Sequence, residues 1–189
     1  MDINALTHAG TSIENVIKTP IKVSNPVSNQ KLNSLAIWDT GATNSVITKS
    51  AASALGLKPI SMTVVNGVHG SKQVNVYYVQ ITLNNENISI RTQVTECEEL
   101  SATKDTAMLI GMNVINMGDF CISNYNGKTV MTFRVPSLTS IDYVNEIAEH
   151  NRCFKIHNIN ISKHLTDKCG CGSGKLYKNC HGDTIYSKQ

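Results

Sequence analysis

The chain has 189 residues, enough for one ordinary domain and a small appendage. Hydrophobic residues make up 41% of it and its formal net charge is +3, which excludes wholesale disorder and is too mild to argue by itself for nucleic-acid binding. The polar start MDINALTHAGTSIENVIK does not resemble a secretory leader, and no run approaches the ~18 apolar residues of a membrane span, so a cytoplasmic chain without a membrane partner is expected.

In chain order, TSIENVIK offers a Thr11–Glu14 capping box for a short helix, within an N-terminal extension over 1–19 that could be a self-cleaved leader or a dimer strand. SLAIWDTGATNSVIT (34–48) is an apolar strand that runs into Asp39-Thr40-Gly41 and resumes as a strand. TKSAASALGLKP (48–59) predicts a helix capped by Thr48 and stopped by Gly56 and Pro59. TVVNGVHGSKQVNVYYV (63–79) has two strand-like arms around Gly67 and Gly70, the pattern of a β-hairpin lid. Runs 74–83, 87–94, 119–124 and 129–135 read as strands, separated by NNEN (84–87) and by YNGK (125–128), whose Asn-Gly pair suits a hairpin. AMLIGMNVINMGDF (107–120) passes from an apolar run through Gly111 into a short helix-like segment. Leu138, Ile141, Val144, Ile147 and Ala148 recur at helical spacing over 137–151, to pack on the β domain or lengthen a dimer interface, and 155–167 reads as a linker. The division is thus 1–19 extension, 20–135 β-rich domain, 136–166 helix and linker, and 167–183 a separate motif.

A carboxylate at the mouth of a core is costly unless it is paired and hydrogen-bonded. Gly41 permits a tight turn that brings peptide N–H groups to Asp39, and Thr40 adds a hydroxyl. Such a carboxylate suits a general base, although Asp-Thr-Gly alone is also an ordinary turn. Asp105 and Asp119 lack the apolar approach and the glycine, and read as surface or capping groups. In combination, the apolar Asp-Thr-Gly-Ala run (37–42), Val46-Ile47-Thr48, the glycine-tipped hairpin and Leu109-Ile110-Gly111 resemble the retropepsin family of aspartic proteases over about residues 20–135. The resemblance implies a mainly β, closed-barrel acid-protease fold. It implies catalysis by Asp39 with Thr40 and Gly41, and a flap over substrate built on Gly67, Val68, His69 and Gly70. From the residues themselves, His69 reads as an exposed loop histidine. The segment MNVINMGDF departs from the retroviral pattern. Hydrolysis of this kind needs two carboxylates sharing a proton, and the chain has a single Asp-Thr-Gly, so activity implies a homodimer.

Six cysteines include three, Cys169, Cys171 and Cys180, within twelve residues, followed by His181. Three thiolates and an imidazole make a soft tetrahedral donor set suited to structural Zn²⁺, and the nearly apolar-free segment around them needs metal to fold. A disulfide with one leftover thiol is the other reading, and it fits an intracellular chain poorly. Cys-x-Cys-x₈-Cys-His with Ser-Gly-Lys and Tyr-Lys between resembles the SEC-C motif over about 167–183. That resemblance implies Cys169, Cys171, Cys180 and His181 as zinc ligands. It also implies a docking face of Lys175, Tyr177 and Lys178 that recruits a chaperone, the ribosome or another protein. The whole reads as a bacterial-type aspartic endopeptidase with a zinc-binding tail. The alternatives are a non-catalytic dimeric peptide-binding scaffold or, more weakly, a nucleic-acid adaptor.

Overall fold

Alternating and β-branched runs cut by turn residues give a chain dominated by strands. The computed structural model describes residues 2–67, 70–102, 104–159 and 164–182. They fall into two units, 1–139 and 140–189.

The first unit carries β1 (Asn4–Ala9), β2 (Lys18–Ser24), β3 (Lys31–Trp38), β4 (Val46–Thr48), α1 (Lys49–Ala54), β5 (Ser61–Gly67), β6 (Gly70–Leu83), β7 (Ser89–Cys97), β8 (Thr106–Ile110), α2 (Met112–Ile115), β9 (Asp119–Ser123) and β10 (Val130–Val135). One sheet runs β2-β3-β8-β4-β7-β6, and β6 returns to β2, so six strands close into a barrel. Closure leaves these strands no open edge. This is the closed β-barrel expected from sequence. β5 pairs only with β6, and over residues 70–75 β6 pairs only with β5, so their far ends project beyond the barrel as a two-stranded hairpin. A three-stranded sheet, β1-β10-β9, completes the unit.

Inward residues are aliphatic: Val23, Ala36, Ile47, Val79, Ile81 and Met108 are wholly buried and share one core with Phe133 and Met131 of β10. α1 starts where Thr48 accepts a hydrogen bond from the Ala51 amide, as its position in the sequence predicts. The β9–β10 turn places Asn126 and Gly127 at φ 53° and 71°, the left-handed pair that Asn-Gly supplies.

Two expectations need correction. Residues 11–17 form no helix: the Glu14 amide donates to Thr129 Oγ1, and the Glu14 carboxylate meets His8 Nε2 at 2.7 Å. Thr129, 115 residues away, and the nearby His8 thus take the groups that a capping box would use. The C-terminal helix, α3 (Tyr143–Ile159), also begins later than predicted and runs on into the expected linker. Asp142 sets its start by accepting from the amides of Val144 and Asn145. Leu138 and Ile141 lie outside it and are exposed, as are Val144 and Ile147 within it.

In the second unit α3 precedes a compact segment over 164–182. Its backbone is tied by Cys169 N–H to Lys175 O (2.8 Å), Tyr177 N–H to Asp167 O (2.7 Å) and Lys178 N–H to Leu165 O (3.0 Å). Among the described residues no helix is long and apolar enough to cross a membrane.

Candidate active site and metal centre

Asp39 follows directly on β3. The alternation of a strand sends Trp38 into the interior, and Asp39 is half-buried on the loop that follows. Trp38 donates its indole N–H to the buried Thr19 hydroxyl at 2.9 Å. Its ring stacks on Phe120 at 5.5 Å and tilts against Phe133 at 5.2 Å. An aromatic cluster with its one polar atom satisfied is a stiff base for the next residue.

The loop itself is held by main-chain bonds. The Gly41 N–H donates to Asp39 Oδ1 at 2.8 Å, and the Asp39 N–H donates to Ile110 O at 3.0 Å. The next segment is knitted to the β8–α2 corner, with Met112 N–H to Ala42 O (2.8 Å) and Asn113 N–H to Thr43 O (3.1 Å). Asn113 Oδ1 accepts from both the amide and the hydroxyl of Ser45, whose Oγ accepts from the Gly111 amide at 3.0 Å. A Cβ on Gly111 would lie 2.6 Å from the Asn44 carbonyl, so only glycine lets the corner approach the loop. Thr40 and Gly41 are exposed. Trp38's packing partners and the Ser45–Asn113 link are contributions that sequence reading missed. Asn113 lies 68 residues beyond Ser45, and no local signal joins them.

Beside this loop, Asn44 lines an open cavity of about 280 Å³ with Ser61, Met62, Thr63 and Val76 of the hairpin base and Gln93, Val94 and Thr95 of β7. At the root of the projecting hairpin, Tyr77 donates its hydroxyl to Glu96 at 2.5 Å, and the Asn75 side-chain amide donates to the same carboxylate at 3.2 Å. The Tyr77 hydrogen bond, with Asn75 and the charges of Lys49 and Lys72, holds Glu96 below the usual carboxylate range against the effect of its burial. Gly67 and Gly70 face each other at the end of the β5–β6 ladder, while Val68 and His69 lie outside the described residues. Burial first, and Glu99, Glu98 and Glu96 next, push the Cys97 thiol up to about 11.

Asp119 is more than a surface group. It accepts from Ser137 Oγ and the Leu138 amide and pairs with Arg134, and these bonds hold it well below the ordinary carboxylate range.

The second cluster unites Cys169, Cys171, Cys180 and His181, whose donor atoms all lie within 4.8 Å of one another. Cys169 is buried. Cys169 Sγ and Cys180 Sγ stand 3.3 and 3.1 Å from His181 Nδ1, and Cys171 Sγ is 3.5 Å from Cys180 Sγ. Donors at ~2.0–2.3 Å from one tetrahedral ion have such spacings, so the set fits a four-coordinate metal. The Ser173 hydroxyl and amide favour the Cys171 thiolate, bringing it down to about 6. Gly172 and Gly174 take φ of 79° and 73°, the left-handed turn the segment between the cysteines requires. Lys175 and Lys178 are exposed, but Tyr177 is buried against Cys169, which corrects its placement on a docking face. A ring at that position is the core of a very small module.

Residues 26–114 match the family model described as aspartyl protease, and residues 166–183 match that of the SEC-C motif. No curated protein matches the chain. Among solved structures, the chain is similar to a retropepsin-like aspartic protease from Rickettsia conorii, at 12% identity over 71% of this chain and 97% of that one, with a TM-score of 0.48. It is also similar to the retroviral protease-like domain of Ddi1 from Leishmania major, at 18% identity over 69% and 99% of the two chains, with a TM-score of 0.45. A third is EIAV protease complexed with the inhibitor HBY-793, at 20% identity over 55% and 88%, with a TM-score of 0.40.

Proposed function

We propose that this chain is an aspartic endopeptidase that works as a homodimer, with a zinc-binding tail that recruits it to a protein or ribosomal partner. The observation that carries this reading is the Asp39 loop: one carboxylate, held by the Gly41 amide at the end of a barrel strand, on a loop whose Asn44 shares a cavity with the base of the projecting hairpin. The aspartyl protease match over 26–114 supports it.

Two Asp39 carboxylates brought together about a two-fold axis share one proton, because like charges ~3 Å apart do not both ionise. The ionised Asp39 takes a proton from a water, whose oxygen forms a bond to the scissile carbonyl carbon. The protonated Asp39 of the other copy gives its proton to the carbonyl oxygen. The C–N bond then breaks: the leaving amine takes the proton gained from water, and one hydroxyl of the diol returns its proton to the Asp39 of the other copy as the carboxylic acid forms. Gly41 N–H steadies the carboxylate, and Thr40 reaches across to the facing loop. The projecting β5–β6 hairpin of each copy covers an extended peptide, one of whose side chains sits in the cavity beside Asn44. Cys169, Cys171, Cys180 and His181 would hold Zn²⁺, which supplies folding energy to the tail and takes no part in the cleavage. Lys175 and Lys178 then face the partner.

The test is cleavage of a denatured protein mixture from pH 4 to 8 by the wild type and by Asp39→Asn at equal dimer concentration. Activity lost completely with Asp39→Asn is expected. Equal cleavage by both rejects the assignment of Asp39, and no cleavage by a folded wild-type dimer leaves the peptide-binding scaffold.

A further inference from the structure

The ladder that joins the projecting hairpin to the barrel has a definite last rung. On β6, Val76 pairs with Thr95 of β7, and from Asn75 back to Gly70 the strand has β5 alone. A two-stranded ribbon is marginal in water by itself, so its angle must be set where it leaves the barrel. In the antiparallel register the next pair would be Asn75 and Glu96, but no backbone pair forms there. The Glu96 side chain crosses the gap instead. Its carboxylate accepts from the Asn75 side-chain amide at 3.2 Å and from the Tyr77 hydroxyl at 2.5 Å. Strand alternation puts Asn75 and Tyr77 on one face, and the Asn75 amide is itself 3.4 Å from the Tyr77 hydroxyl. Tyr77 is buried in the barrel core, whereas Asn75 belongs to the hairpin. One carboxylate thus ties a core ring to a hairpin side chain.

The other end of the tie leads to Asp39. The backbone of Glu96 pairs with Ile47 of β4, the strand on which the Asp39 loop lands. One residue earlier, the Thr95 amide donates to the Ser45 carbonyl at 3.1 Å, at the end of that loop. Glu96 therefore has its backbone fixed to the segment that carries Asp39 and its side chain fixed to the hairpin. Its surroundings keep it an acceptor: Lys49 of α1 and Lys72 of β6 both favour the ionised form, and Lys72 also pairs with Glu98 at 3.2 Å. An ionised carboxylate satisfies both donors, whereas a glutamine there satisfies one and turns its own N–H groups on the other.

We propose that Glu96 is a positioning residue for the cleavage: through Asn75 and Tyr77 it sets the angle of the β5–β6 hairpin relative to the Asp39 loop, and so the grip on bound peptide; this rests on the endopeptidase reading above. The test uses the full chain, loaded with zinc, and a peptide taken from those the wild type cuts in the denatured mixture. Glu96→Ala removes both bonds, and Asn75→Ala, at a half-buried position, removes only the hairpin's share and keeps the core ring tied. In each, amide exchange of the β5–β6 hairpin is expected to quicken at least about fivefold, as loss of a hydrogen bond to a charged group implies, with the exchange of β3 and β8 unchanged. KM for the peptide rises by a similar factor while kcat stays within about twofold, since neither residue touches the reacting atoms. The double variant is no worse than Glu96→Ala, because the two act as one unit, and Glu96→Gln falls between Glu96→Ala and the wild type. Unchanged hairpin exchange, or an unchanged KM, overturns the positioning role and leaves the endopeptidase standing. Exchange that quickens throughout the barrel overturns it too, showing a general structural role. A wild type that cleaves nothing overturns the endopeptidase reading and this role with it.

Discussion

Around Asp39 the chain buries whole side chains, with Phe133, Met108 and Ile110 at 0% exposure, whereas among the described residues around Cys169 the buried cluster is Cys169 and Tyr177. Both regions hold reactive side chains on glycine-bearing loops. The barrel does so with apolar area and main-chain bonds. The 164–182 segment has too little area for that, so its rigidity must come from whatever its three sulfurs and one imidazole grip. The same loop problem is thus solved by hydrophobic burial in one place and, in the proposed reading, by coordination in the other.

The contrast breaks most sharply under chelation. Stripping metal from the full chain is expected to collapse the amide resonances of 164–182 toward unstructured positions and leave those of the barrel in place. Structural zinc supplies ~10 kcal/mol to modules of this size. Unmoved 164–182 resonances would refute the coordination account. Next in size is Phe133→Ala, which empties the contact with Trp38 and the barrel core. It should lower stability by about 3–5 kcal/mol in urea unfolding while leaving bound zinc unchanged. A loss of zinc alongside would show the two regions to be coupled.

The smallest effect sharpens the picture at the root of the hairpin. Glu96 is held low in the folded state, so its share of stability is present above its unfolded value of about 4.3 and is lost as pH falls through the folded value. Glu96→Gln should therefore flatten the fall in melting temperature below about pH 4, measured by calorimetry. Asp119, also held low, contributes to the same acid limb in both proteins and cancels in the difference.

The features legible in the sequence are those whose partners are near in the chain. Asp39-Thr40-Gly41 announces itself because the amide that binds the carboxylate is two residues away. Cys169 to His181 fit within thirteen residues, and their spacing alone suggests a metal. β1 and β2 carried no such signal. β1 buries only Leu6 and depends on β10, more than 120 residues away. β2 contains Pro20, an ordinary argument against a strand, but pairing with β6 starts at Ile21 and Pro20 lies just outside it. The start of α3 was misplaced because an apolar period was read where Asp142 decides the matter by capping. The Asp119 clamp was missed for a like reason: Arg134, Ser137 and Leu138 reach it from 15 to 19 residues further on.

β8 lies between β3 and β4, the two strands that flank the Asp39 loop, running parallel to the first and antiparallel to the second. The loop therefore closes no hairpin of its own. It arches over the end of a strand that begins at residue 106, and its shape is set by Ile110, Gly111, Met112 and Asn113. Such closure carries the chain entropy of some seventy intervening residues, so it belongs late in folding. A nascent chain emerging from the ribosome acquires a competent Asp39 only once residue 113 is free to fold, and until then the carboxylate sits on a segment with no scaffold. Order of synthesis thereby sets when the Asp39 carboxylate takes its final geometry.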